Sequence, residues 1–236
     1  MLAACLVAAG GWGARALAVQ ASGEYAPAAA GFDISWPQCG GAYPLLAEGD
    51  FAVAGVTGGR PFTANPCLAS EFAWASAGGV LPSLYVNLAF GLSANGPCSA
   101  VDPACRPYDY GWSTARSAFL QAWAATSGAS LDTRVWWLDV ETGNIWSGDR
   151  FANSMVVRGA VSFFHSVHRE VGVYSVAPMW RGITGGYAPP GVPNWVAGAS
   201  DGRDYSRCFM PLWPGASVSM YQYLPPGAQF DGNHSC

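Results

Sequence analysis

Arg134-Val135-Trp136-Trp137-Leu138-Asp139-Val140-Glu141-Thr142 is an apolar run of strand formers that ends in two carboxylates separated by one residue. Side chains at i and i+2 of a strand lean to the same face, so Asp139 and Glu141 are expected to point together. Delivering two acids from a buried apolar strand is costly unless they do something. In a parallel α/β barrel the C-terminal strand ends carry the active site. Paired carboxylates there suit acid/base chemistry on a sugar bond.

The 236 residues match one barrel-sized domain, which typically needs about 200–250 residues. Hydrophobic residues make up 51% and charged residues 11%, the composition of a core-rich chain. All basic residues are arginine, none are clustered, and the formal charge is −4, which argues against a nucleic-acid partner.

Residues 1–30 read as a secretory leader and flexible lead-in. Leu2 to Ala9 is apolar and too short to span a bilayer, and Ala16-Leu17-Ala18 offers a small-residue cleavage site. A secreted, monomeric protein without stable membrane insertion is the expectation. Cleavage removes Cys5 and leaves Cys39, Cys67, Cys98, Cys105, Cys208 and Cys236, an even set that suits disulfides in an oxidising compartment. The sequence alone leaves their connectivity open. The expected pairs, joining neighbours in space, are Cys39–Cys67, Cys98–Cys105 and Cys208–Cys236. No Cys-x-x-Cys exists to hold a metal.

Working outward from the central strand, further strands are expected at 31–36, 51–56, 84–88, 171–175, 194–197, 218–223 and 229–231. Helical spacing covers 67–78, about 110–125 and 149–169. Beyond the fifth strand helices fade into irregular loops. Eight strands with helices well formed only in the early units predict an α/β fold, a TIM-like barrel reduced in its second half and occupying residues 31–236. In such a barrel the first and eighth strands are neighbours and the fourth lies across the mouth. Asp33, Asp139, Glu141 and Asp231 therefore all border one expected pocket, where mutual repulsion and burial would raise the proton affinity of at least one. Trp136 and Trp137 are adjacent in one strand, so one faces the barrel and the other the helices; both are read as structural.

Several short motifs, in order, resemble family 25 glycoside hydrolases, the N-acetylmuramidase lysozymes. Asp33-Ile34-Ser35-Trp36-Pro37-Gln38 resembles the family's Asp-x-Ser-x-x-Gln opening, and Asp139-Val140-Glu141 its Asp-x-Glu pair. Trp195-Val196-Ala197, Gln222-Tyr223 and Asp231-Gly232-Asn233 resemble its Trp-x-Ala, Gln-Tyr and Asp-x-Asn elements. The resemblance implies cleavage of the β-1,4 bond in peptidoglycan or a related N-acetylated cell-wall glycan, with no cofactor. It implies Glu141 as proton donor. Asp139 would stabilise positive charge or hold the 2-acetamido group, and Asp33 and Asp231 would position substrate and tune the pair. Two departures, Tyr85-Val86-Asn87-Leu88 and Thr57-Gly58-Gly59-Arg60, together with the cysteines, point to a divergent actinobacterial branch. Trp36, Tyr85, Asn87, Tyr174, Trp195, Tyr221 and Gln222 are the expected substrate-binding residues, with Trp195 the leading ring for stacking on a sugar.

Other motifs weigh less. Gly198-Ala199-Ser200-Asp201-Gly202 matches a nucleophile elbow, but Asp231 and His234 follow too closely to serve as its partners. His165, His168 and Glu170 lack the spacing of a helical metal site. The rival that remains is a barrel that binds cell-surface glycan without cutting it, since fold alone does not decide activity.

Overall fold

The computed structural model describes residues 25–93, 95–98, 102–225, 227 and 229–236. Strands β1 (Ala30–Ile34), β2 (Phe51–Gly55), β3 (Ser83–Asn87), β4 (Trp136–Asp139), β5 (Val171–Ser175), β6 (Asn194–Ala199), β7 (Val218–Tyr223) and β8 (Asp231–Ser235) close into a barrel in sequence order. Helices α1 (Leu68–Ala75), α2 (Cys105–Ala125), α3 (Arg150–Ser166) and α4 (Ala177–Thr184) follow β2, β3, β4 and β5. Only a 3-10 turn, Tyr205–Phe209, separates β6 from β7. The expected TIM-like barrel with a reduced second half is present.

The two-residue period of β4 separates two cores. Val135 and Trp137 enter the barrel with Phe51, Val53, Trp195 and Met220, while Trp136 and Leu138 pack outward with Phe164, Val173 and Leu84. Trp136 stacks on Phe164 with ring centroids 4.8 Å apart. Each such fully buried large apolar side chain contributes about 1.5–3 kcal/mol. Helices α2 and α3 approach through reciprocal glycines: a Cβ on Gly111 would lie 1.8 Å from the Val156 carbonyl oxygen, and one on Gly159 would lie 1.9 Å from that of Tyr108. No larger residue fits either position. Asp149 caps α3 by accepting the Phe151 and Ala152 N–H groups at 2.9 and 3.2 Å.

Three features differ from the sequence-based expectation. First, β8 begins at Asp231 rather than ending there, and it runs antiparallel to both neighbours. Residues 224–230 are too few for the crossover that a parallel strand requires, so the chain turns back as a hairpin. Second, α4 exists where only loop was expected. Its N-terminal turn holds Pro178, whose missing N–H costs nothing there, and Gly185 ends it in the left-handed region. Third, the lead-in is anchored by Tyr25, which is buried. The Tyr25 ring lies 4.2 Å from Phe51, and its hydroxyl meets Ser83 Oγ at 2.6 Å, closing the barrel floor. The leader itself, residues 1–18, lies outside the described residues.

The disulfides are Cys39–Cys67, Cys98–Cys105 and Cys208–Cys236, as expected. The first ties the loop after β1 to the start of α1; the third ties the 3-10 turn after β6 to the C-terminal residue. Among the described residues no helix is long and apolar enough to cross a membrane.

Candidate active site

Asp33, Asp139, Glu141 and Asp231 line one cavity of about 130 Å³ with Tyr85, Tyr174, Trp195 and Gln222. Parallel strands deliver the first three acids at their C-terminal ends. The reversed β8 delivers Asp231 from its first residue, opposite Asp33 in register. Beyond the last β4 pair the chain stays extended because the Val140 N–H donates to Tyr174 O at 3.0 Å and Ser175 Oγ donates to Val140 O at 2.7 Å. Glu141 therefore keeps the inward orientation of Asp139, and the Trp146 indole N–H holds the Glu141 carbonyl at 2.8 Å.

Asp33 is held by two side-chain amides whose orientation is enforced from behind. The Trp195 indole, which can only donate, gives its N–H to Asn233 Oδ1 at 2.8 Å, so Asn233 presents its NH2 to Asp33 Oδ2 at 2.7 Å. The Tyr174 hydroxyl likewise donates to Gln222 Oε1 at 2.7 Å, and Gln222 Nε2 donates to the same Asp33 oxygen at 3.0 Å. On the far side Asn87 Nδ2 donates to Asp139 Oδ2, while Thr57 Oγ1 donates to Asn87 Oδ1 at 2.6 Å.

All four carboxyls are pushed above the usual carboxylate range. Burial is the main cause at Asp33, with the Asp231 charge next, and together they outweigh the two amides and raise its pKa to about 7. Burial raises Asp139 most, Glu141 adds to it, and Asn87 opposes. Glu141 is raised by burial and then by Asp231, and Asp231 by burial. Among the described residues no arginine lowers any of the four; Arg207 pairs instead with Asp204 at 3.3 Å. The cavity is thus a proton-rich acidic cluster without a compensating cation, suited to giving and taking protons near neutral pH.

The expected binding residues divide. Tyr85, Tyr174 and Gln222 line the cavity. Trp195 also lines it but is only 2% exposed, its ring 4.4 Å from Tyr174 and 5.8 Å from Trp137. It is floor rather than an open stacking platform. Tyr221 faces away: because Gln222 points inward, its neighbour must point out, where it stacks on His234 and donates to Gly202 O at 2.8 Å. Asn87 is buried behind Asp139 and does not line the cavity. Trp36, after β1 on the same rim, is 46% exposed and sits against Gly59, outside the cavity lining. The sequence alone assigned no role to Asn233 as a side chain or to Thr57. Asn233 stands in the Asp231-Gly232-Asn233 motif, and its inward parity with Asp231 was the available signal.

The nucleophile-elbow and metal motifs gain nothing from the structure. Ser200 Oγ lies 3.4 Å from Asp204 Oδ2, and the His234 ring stacks on Tyr221 and meets Tyr205 edge-on. Among the described residues no group of His, Cys, Asp and Glu is placed to hold a metal ion. A larger open groove of about 760 Å³ on the flank of α2, lined by Phe62, Trp112, Arg116 and Leu120 among others, contains no acid and no histidine.

No family model matches the chain. A curated relative named "Probable GH family 25 lysozyme 4", from Dictyostelium discoideum, is 39% identical over 114 residues, covering 47% of this chain and 48% of that protein. The chain thus matches about half the length of that relative. Among solved structures, the muramidase from Acremonium alcalophilum superposes with a TM-score of 0.59 at 20% identity, covering 88% of this chain and 93% of that one. The family GH25 lysozyme from Aspergillus fumigatus gives 0.54 at 19%, with 88% and 93% covered. The bacterial lysozyme from Streptomyces coelicolor gives 0.54 at 18%, with 88% and 92% covered. These relatives are spread too widely to support the expected actinobacterial branch. In sequence over about half its length, and in fold over nearly nine-tenths of it, this chain resembles the family 25 lysozymes.

Proposed function

We propose that the protein is a secreted glycoside hydrolase that cleaves a β-1,4 bond in peptidoglycan or a related N-acetylated cell-wall glycan. The observation that carries this reading is the convergence of Asp33, Asp139, Glu141 and Asp231 on one cavity, with Asp139 at the end of β4 and Glu141 two residues on. The lysozyme names of its relatives support the substrate class. The three disulfides support an oxidising, extracellular setting.

Glu141, the more exposed of the pair, is the acid. Its proton passes to the glycosidic oxygen as the C1–O bond breaks and the bonding electrons leave with that oxygen. Asp139 stays anionic and faces the developing positive charge, or holds the N–H of a 2-acetamido group that closes on C1. Water then attacks C1 and returns a proton to Glu141. Asp33 and Asp231 hold the substrate, and burial together with the Asp231 charge raises the proton affinity of Glu141.

The test is release of reducing ends from purified cell walls. Wild type is expected to release them, and Glu141→Gln to lose about 10²–10⁴-fold in rate while still binding the glycan. If both proteins bind the glycan and neither releases reducing ends, the barrel is a glycan-binding module and the hydrolase reading is wrong.

A further inference from the structure

Thr57 stands two residues beyond β2, 1% exposed, and its hydroxyl hydrogen-bonds to Asn87. Its hydroxyl accepts the Asn87 backbone N–H at 3.3 Å and has one proton to give, which goes to Asn87 Oδ1 at 2.6 Å. With that oxygen committed, the Asn87 amide can only present its NH2 to Asp139 Oδ2. A proton on Asp139 Oδ2 would then point at an N–H, two donors facing each other, which leaves Oδ1 as the oxygen for any proton on this carboxyl. Asp139 Oδ1 is buried and has no partner.

We infer that Thr57, acting through Asn87, biases the proton of the Asp139–Glu141 pair toward Glu141: it locks the amide with its N–H on Asp139 Oδ2, a contact that favours the anion at Asp139 and opposes the effect of burial there. Thr57 and Asn87 are positioning residues, since both act through Asp139. Besides the Asn87 amide, the groups that face Asp139 are titratable: Glu141 from just beyond β4, Asp33 from β1, Tyr85 from β3 and Tyr174 from β5; each is an acid or a phenol, and none supplies positive charge. Burial and the neighbouring acids raise Asp139, and the neutral amide of Asn87 is the group that opposes them. The Asp33 side of the cavity repeats the device twice, with Trp195 directing Asn233 and Tyr174 directing Gln222. Those relays converge on an acid outside the adjacent pair, whereas the Thr57 relay acts on one member of it.

The inference rests on the proposed function only for its catalytic consequence, so the test reads protonation directly. Carboxyl carbons of Asp139 and Glu141 are titrated by ¹³C NMR in wild type, Thr57→Val, Thr57→Ala and Thr57→Ser. In Thr57→Val the amide is free to turn over, and Asp139 is expected to titrate about one pH unit higher, because an anion loses a donor. The acid limb of kcat/KM moves the same way and kcat falls about tenfold. Thr57→Ser restores both, which a purely steric role for the threonine would not require. Thr57→Ala gives the same readout should the valine not be accommodated. In wild type itself, the Asn87 side-chain amide protons are expected to shift with the Asp139 titration. Wild-type titration of Asp139 in the folded Val or Ala variant, or Asn87 amide protons that ignore Asp139, would overturn the relay. Absence of reducing-end release with these NMR results intact would instead overturn the hydrolase reading alone.

Discussion

Asp33 and Asp231 are register partners across the antiparallel seam where β8 closes the barrel against β1, and both open into the same cavity. A parallel β8 would carry its first residue to the opposite end of the barrel. The hairpin reversal therefore brings the fourth acid to the rim where the other three already stand. It also places a second negative group beside Asp33, the largest electrostatic contribution to that residue after burial.

That pairing has a consequence for stability. The folded Asp33 carboxyl titrates at about 7 against an ordinary value of 3.8, and buried Glu71 on α1 is likewise raised to about 7, by burial against the Asn65 hydrogen bond. A raised acid binds its proton more tightly in the folded state. Its contribution to stability is thus fullest below about pH 4, declines as pH rises to about 7, and is flat above. The apparent melting temperature at pH 5 should exceed that at pH 8 by about 4 °C or more. Glu71→Gln and Asp33→Asn should each flatten the slope, and a melting temperature that rises through this window would count against both shifts.

Asn233→Ala should destabilise the chain by about 1–3 kcal/mol, because it strands the buried Trp195 indole N–H and removes a donor from Asp33. Urea unfolding measures the first effect. The second appears as an Asp33 carboxyl titration displaced further upward.

Gly172 on β5 lies under the Trp137 ring, where a Cβ would come within 2.2 Å of Trp137 Cζ3 and 3.0 Å of the Pro193 carbonyl oxygen. Gly172→Ala should cost about 1–3 kcal/mol by overpacking. Urea denaturation gives the magnitude, and a changed tryptophan emission in the folded protein would report displacement of the ring.

Trp36 offers the opposite case. Half-exposed on the rim, it should tolerate Trp36→Ala with a stability change within about 0.5 kcal/mol. If it extends the sugar surface beyond the cavity, the same change should raise KM for cell-wall glycan several-fold and leave kcat nearly unchanged. An unaltered KM would remove Trp36 from the binding surface.

Local periodicity is the part of this protein that its sequence determined unaided. The alternation of residues 135–141 already put Asp139 and Glu141 on one face and sent Trp136 and Trp137 to opposite cores, because successive strand side chains have no other option. Strand count and the position of each acid along the chain came from the same patterning. Tertiary structure decided the rest, because it depends on partners distant in sequence. Tyr221 has the sequence context of a ligand residue, yet the inward parity of Met220 and Gln222 on β7 turns it away from the cavity. Trp195 became floor because Trp137 and Tyr174 close over it. The direction of β8, the packing of Tyr25, and the amides of Asn87, Gln222 and Asn233 on their acids all join segments far apart in the chain. A one-dimensional pattern fixes which way a side chain leans, whereas only closure of the barrel fixes what it meets.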